Sequence, residues 1–277
     1  MRAAEVIHII VFSYFVLLAW VRALPVRRRV KVTAIGILGL GANVIAAALL
    51  PGILPPLTVS VIRDWLPAAL VLVVYREAGE FFTMPDQRLQ DRLEGLDARF
   101  AAPLLQWLYS HRIGRWAATV FEIAYLLCYA MVPMALGTMY LVHLGRFADS
   151  FWTVVLTSTY VCYCVLPFLQ TLPPRVLDEP WLPLLPPSPI RKCNLWTLRH
   201  ASIHANTFPS AHVAASAAAA LVVASLAPWP AGLVFSVVAV CIAFGTVTGR
   251  YHFGSDAVVG CAVALIIFVL SRQARAF

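Results

Sequence analysis

Two short polar stretches hold the residues best suited to chemistry: Asn206-Thr207-Phe208-Pro209-Ser210-Ala211-His212 and Gly249-Arg250-Tyr251-His252-Phe253-Gly254-Ser255-Asp256. In the second, His252 and Asp256 are four apart, which puts both on one face at the start of a helix. A carboxylate so placed holds one imidazole nitrogen as a donor and leaves the other as a directed nucleophile or base. Asp256 stands inside an apolar run, where an unpaired charge is costly, and His252 is its obvious partner. Arg250 offers a planar fork matched to phosphate oxygens. In the first stretch, Pro209 suits the first turn of a helix. Ser210 and the free backbone N–H groups beside it make an anion cradle aided by the helix dipole. His212, in the same turn, is placed to give a proton to a leaving oxygen. A lone His-x-x-x-Asp is more often a structural pair, and a lone Pro-Ser-x-His is only a helix start. Two histidines at two helix mouths, each beside anion-binding groups, instead point to a site that handles phosphate.

The elements that must position these residues are membrane spans. The 277-residue chain is 61% hydrophobic and 12% charged, more apolar surface than a soluble domain of that length can hide. Apolar runs of spanning length lie at about 6–24, 32–50, 116–142, 150–171, 210–227, 230–248 and 253–270; an eighth, 58–75, is interrupted by Arg63 and Asp64. The expectation is an all-α polytopic bundle of about eight spans (six to eight). The runs at 210–227 and 230–248 hinge at Pro228-Trp229-Pro230, so the two polar stretches share one side of the bilayer. The first run lacks a basic lead and a small-residue cleavage site, and is read as a retained span. Between the spans, residues 83–115 alternate charge around Leu89, Leu93 and Leu96, the pattern of an amphipathic surface helix solvated as a linker. Residues 172–208 carry Pro173, Pro174, Pro180, Pro183, Pro186, Pro187 and Pro189, which forbid a long helix and predict a stiff, irregular cap. Trp181 and Trp196 suit a membrane interface. The expected division is 1–115, N-terminal spans plus the linking helix, and 116–277, a catalytic bundle with a phosphate-binding loop at 172–212.

The net charge of +8 fits loop cations meeting anionic headgroups. Nucleic-acid binding would need a basic face on a soluble module, and none is visible. With eight spans, sixteen of the 21 Lys and Arg fall on the side of the two polar stretches and five on the other; losing the doubtful span makes the split 13 to 8. The steeper asymmetry favours eight spans with the site facing the cytoplasm. Of the six cysteines, all but Cys193 fall in apolar runs without metal spacing, and read as small core residues.

Pro209-Ser210-Ala211-His212 resembles the Pro-Ser-Gly-His motif of the type 2 phosphatidic acid phosphatase superfamily, with Ala211 in place of glycine. Arg250 with His252-Phe253-Gly254-Ser255-Asp256 is similar to that family's last motif, with only two residues from arginine to histidine. The resemblance covers about 175–270. It implies that His252 attacks phosphorus to form a phosphohistidine, Asp256 orients it, His212 protonates the leaving alcohol, and no metal or other cofactor takes part. Arg175, after Pro173-Pro174, is the candidate for the family's first cationic motif, with Arg191, Lys192 and Arg199 behind it. The short last motif is similar to the branch that includes inositol phosphorylceramide synthases, which puts phosphoryl transfer beside hydrolysis. The implied partners are a lipid phosphate substrate, membrane lipids and, for transfer, an alcohol or polyol acceptor.

Three further features stand outside these motifs. Glu122, deep in the run at 116–142, is either a functional ionisable group or a partner for hydroxyls of a neighbouring helix. His200, His204 and His212 together invite comparison with a zinc site, but no carboxylate or thiolate at suitable spacing completes it. His8 and His143 carry no constellation. A non-enzymatic transporter or scaffold is the alternative function; a transporter would more often place its polar groups at the bilayer midplane, on broken helices.

Overall fold

The computed structural model of the protein describes residues 1–177 and 188–274. Every apolar run becomes a helix. The chain runs α1 (Ala3–Val21), α2 (Val26–Val44), α3 (Pro56–Gly79), α4 (Gln87–Ser110), α5 (Arg112–Leu141), α6 (Ala148–Val165), α7 (Pro189–Ala201), α8 (Ala211–Leu226), α9 (Trp229–Thr248) and α10 (Gly254–Gln273). α2 continues through a π turn, Ile45–Leu49, and a 3-10 turn, Leu50–Gly52, before Pro55 and Pro56 redirect the chain. The fold is all-α apart from a two-residue ladder that pairs β1 (Gln170–Thr171) antiparallel with β2 (Asn206–Thr207).

Six of the described helices, α1, α2 with its extension, α3, α5, α9 and α10, are long and apolar enough to cross a membrane. The other two expected spans, α6 and α8, form the centre of the bundle. α6 buries Phe151, Trp152, Val154, Val155, Leu156 and Tyr160 together with Ser158 and Thr159. α8 is alanine-rich and only 16 residues long. A helix wrapped by protein need not match the apolarity or length that lipid contact demands, and small side chains let its neighbours approach closely. One such approach falls at Gly260 of α10, where a Cβ would come within 2.6 Å of the Ser210 carbonyl.

The larger hydrophobic core runs from α1 to α10, and a smaller one joins Ala101, Leu105, Leu108 and Tyr109 of α4 to Ala118 of α5. Ion pairs and polar contacts gather at both ends of the bundle. At the end away from the two polar stretches, Arg2 pairs with Asp64, Arg63 pairs with Glu5, and Asp149 accepts from Ala3 N and Ala4 N. At the near end, Lys31 pairs with Glu80, Arg22 donates to Pro167 O, and Arg76 donates to Ser202 O.

Two connecting segments differ from expectation. α4 is amphipathic as predicted and keeps Arg88, Asp91, Arg92 and Arg99 exposed, but two of its polar residues, Gln90 and Asp97, are buried against the bundle with Leu93, Ala101, Leu105 and Tyr109. The prolines also permit more helix than expected. Pro189 is the first residue of α7, where its missing N–H costs nothing, and Ser188 caps the helix by accepting from Arg191 N. No proline follows until Pro209, so thirteen residues form a helix in the middle of the predicted irregular cap. Pro180, Trp181, Pro183, Pro186 and Pro187 lie outside the described residues, as does Arg275.

Candidate functional site

The α8 and α10 N-termini meet at one end of the bundle, and each brings a histidine. Ser210 caps α8 through a hydroxyl 3.5 Å from Val213 N, while its own N–H donates to Asp256 O at 3.0 Å. That bond fixes one helix mouth to the other. His212 occupies the second position of α8, half-buried between Tyr125 and Tyr129 of α5. Its ring centroid is 5.7 Å from that of His252, which lies just ahead of α10.

His252 Nδ1 is 3.2 Å from Asp256 Oδ2. The same oxygen accepts from Phe253 N at 3.0 Å, a carboxylate reaching back to the helix cap, and from Asn206 Nδ2 at 2.9 Å. Asn206 also donates to Thr171 Oγ1 across the β1–β2 ladder. The ladder therefore positions the amide that holds the carboxylate that holds the imidazole. Nδ1 is thus the nitrogen turned to Asp256, and Nε2 is the ring nitrogen turned away from it. Burial, with the Arg175 guanidinium second, pushes the His252 pKa down to about 3, so the imidazole is neutral and its lone pair available at ordinary pH.

Arg175 approaches this pair from the 3-10 turn Pro174–Val176. Its backbone N–H donates to Arg250 O at 2.9 Å and its Nη1 to Tyr251 O at 3.3 Å. Behind lies a second network. Glu122 of α5 pairs with Arg191 at 2.7 Å and accepts from Asn194 Nδ2 at 2.7 Å and from Tyr251 OH at 2.6 Å. Glu122 thus meets the hydrogen-bonding reading given to it, accepting from the Tyr251 hydroxyl, and it also ties α7 to α5. Tyr251 stacks on Tyr125 with centroids 3.9 Å apart. Gly249 makes room for that ring, since a Cβ there would sit 2.2 Å from it.

The structure thus brings His212, His252, Asp256 and Arg175 together. Arg250 and Ser210 sit behind them. Both are fully buried, and Ser210 is spent as a cap. Arg250, at φ 62°, pairs with Asp97 of α4. The other Asp97 oxygen accepts from Gly254 N at 2.9 Å, so one carboxylate grips the chain on both sides of His252. His200 lies apart on exposed α7, bonded to Trp196 O, and His204 sits at φ 57° in the turn before β2. Sequence reasoning missed Asp97, Asn194 and the link from Asn206 to Asp256. Asp97 looked like one more charge on a solvated face; the only available signal was that it breaks the apolar stripe of Leu93 and Ala101.

The model of the PAP2 superfamily matches residues 88–270, from the first turn of α4 almost to the end of α10. The chain belongs to the PAP2 superfamily. The match takes in α4 and its Asp97, and so reaches well beyond the motif-bearing region of 175–270. No curated protein and no solved structure matches the chain. Superfamily members are generally phosphatases and phosphotransferases, in keeping with the apolar helices of a multi-pass membrane protein.

Proposed function

We propose that this protein is an integral membrane phosphatase or phosphotransferase that cleaves a phosphate ester of a lipid through a phosphohistidine. The observation that carries the reading is the facing pair of histidines 5.7 Å apart, one of them held by a buried aspartate. In the proposed reaction Nε2 of neutral His252 attacks phosphorus and the bond to the lipid oxygen breaks. His212, taking up a proton as the anionic substrate binds beside it, gives that proton to the leaving oxygen. A water or alcohol then attacks the phosphohistidine, His212 takes the acceptor's proton, and His252 is released. Arg175 is the guanidinium best placed to meet the phosphoryl oxygens, with the α8 N-terminus beside it. Arg250 is recast as a positioning residue. Asp256 fixes the imidazole and balances the charge it acquires. The asymmetry of sixteen to five basic residues supports a site on the cytoplasmic face.

The short spacing of Arg250 and His252 supports the transferase branch, and one assay separates the outcomes. Purified protein is given micellar lipid phosphates with and without polyol acceptors. Release of inorganic phosphate marks hydrolysis, and a new phosphomonoester of the polyol marks transfer. Neither product across a lipid panel would overturn the reading.

A further inference from the structure

The second half of α4 carries an apolar edge that the bundle leaves uncovered. Leu96, Phe100, Leu104 and Trp107 recur at helical spacing and remain 44–67% exposed. Between this edge and the flanks of α9 and α10 lies a groove of about 620 Å³, within the range of roughly 300–1,000 Å³ found for small-molecule sites. Its walls are Phe100 and Leu104 of α4, Phe244 and Val247 of α9, and Val258 and Cys261 of α10. Its inner end is Asp97 with Gly254, half of the grip on the His252 loop. The groove is not the place of the scissile phosphate. Val258 and Cys261 lie on the exposed face of α10, whereas Asp256 and Gly260 are buried toward α8.

We propose that this groove binds an alkyl chain of a bilayer lipid other than the substrate, and that its occupancy holds Asp97 against the His252 loop. The walls specify the occupant. Apart from Asp97, Thr248 and Ser255 they are apolar, and they merge with the exposed apolar surfaces of two span-length helices, at Val240, Phe244, Val258 and Leu265. Asp97, the one charged residue of the lining, already serves Arg250 and Gly254, and the Arg99 guanidinium lies over the Phe100 wall, where a lipid headgroup could meet it. A chain filling the groove packs the apolar side of α4 and resists its lifting from α10. The effect on rate rests on the proposed function; the binding does not.

Phosphatidylcholine vesicles with a trace of phospholipid bearing a diazirine at the chain end test the binding. Leu38 of α2, 73% exposed, reports ordinary lipid contact. Crosslinks on the groove walls should exceed those at Leu38 by about five-fold, a preference of about 1 kcal/mol. Val258→Trp, at a position 69% exposed and apart from the catalytic residues, should fill the groove and bring wall labelling down to the Leu38 level. Equal labelling of walls and Leu38, unchanged by Val258→Trp, overturns the site as bulk lipid only. Turnover of a soluble aryl phosphate in detergent tests the coupling. Added long-chain phosphatidylcholine should raise it about three-fold or more, a short-chain analogue should not, and Val258→Trp should lose the response. Wall-specific labelling without any rate response overturns the coupling. Absence of turnover in every lipid counts against the proposed function, and the crosslinks still decide the site.

Discussion

The proton held by His212 matters only as much as the leaving group needs it. A lipid alkoxide needs it fully, and such proton transfer contributes about 10²–10⁴ in rate. A nitrophenolate scarcely needs it. His212→Ala should therefore lose most turnover of a lipid phosphate while remaining partly active on an aryl phosphate, and Asp256→Asn should lose part of both. Equal losses for His212→Ala on the two substrates would remove it as the acid. The depressed pKa of His252 also has a stability consequence with a definite sign. Above about pH 6.5 the imidazole is neutral in folded and unfolded chains alike, so it leaves stability unchanged. As pH falls from there toward 3, the unfolded chain takes up a proton that the buried ring refuses, and stability declines by up to about 1.4 kcal/mol per pH unit. Melting of the detergent-solubilised protein should fall over that window, less steeply in His252→Asn. The i, i+4 pair itself was legible because it is local. Asn206, the third donor to Asp256, was not, because 50 residues separate the two.

At the scale of elements, α4 is the piece whose role could not be read from its own residues. Its alternating charges look solvated until Arg250, 153 positions away, is seen to be Asp97's partner. The misplaced cap has the same origin: Pro189 counts as a helix breaker in a proline-rich run and as a helix start once Ser188 caps it. The apolar runs, by contrast, were legible as helices from their own residues, and six of them have the length and apolarity that a bilayer demands; α6 and α8 do not, because protein surrounds them. If Asp97 positions the His252 loop, Asp97→Asn should lower kcat on lipid and aryl substrates alike, by about ten-fold or more, with little change in KM. Asp97→Ala, which strands a buried guanidinium, should cost about 3–5 kcal/mol of stability as well. A loss confined to KM would argue that the Arg250 region touches substrate directly. In the N-terminal helices Glu77 of α3 is fully buried, and neither oxygen has a partner among the described residues. Burial without a partner is costly, so Glu77→Leu should raise the melting temperature by a few degrees and leave turnover intact; a loss of turnover would assign Glu77 a part in function.

For the whole molecule, the bundle presents one polar end built from the starts of α8 and α10, the turn with Arg175, and α7 held down by Glu122. Its opposite end is tied by Arg2, Glu5, Arg63 and Asp64. The proposal that the site faces the cytoplasm rests on the charge asymmetry between these ends, and Cys193, exposed on α7, tests it without a new cysteine. An impermeant maleimide should label Cys193 only after cells are opened, while a cysteine at Arg146 on the other end should label in intact cells. The reverse pattern would put the site outside. The account as a whole turns on one covalent bond, between phosphorus and His252. The direct measurement is to mix purified protein with a substrate carrying labelled phosphate, quench in denaturant, and follow label on the chain at acid and alkaline pH. Wild type and His212→Ala should carry an acid-labile, alkali-stable phosphoryl group that maps to His252, and His252→Ala should carry none. Label that persists in His252→Ala, or that proves stable in acid, would contradict the account.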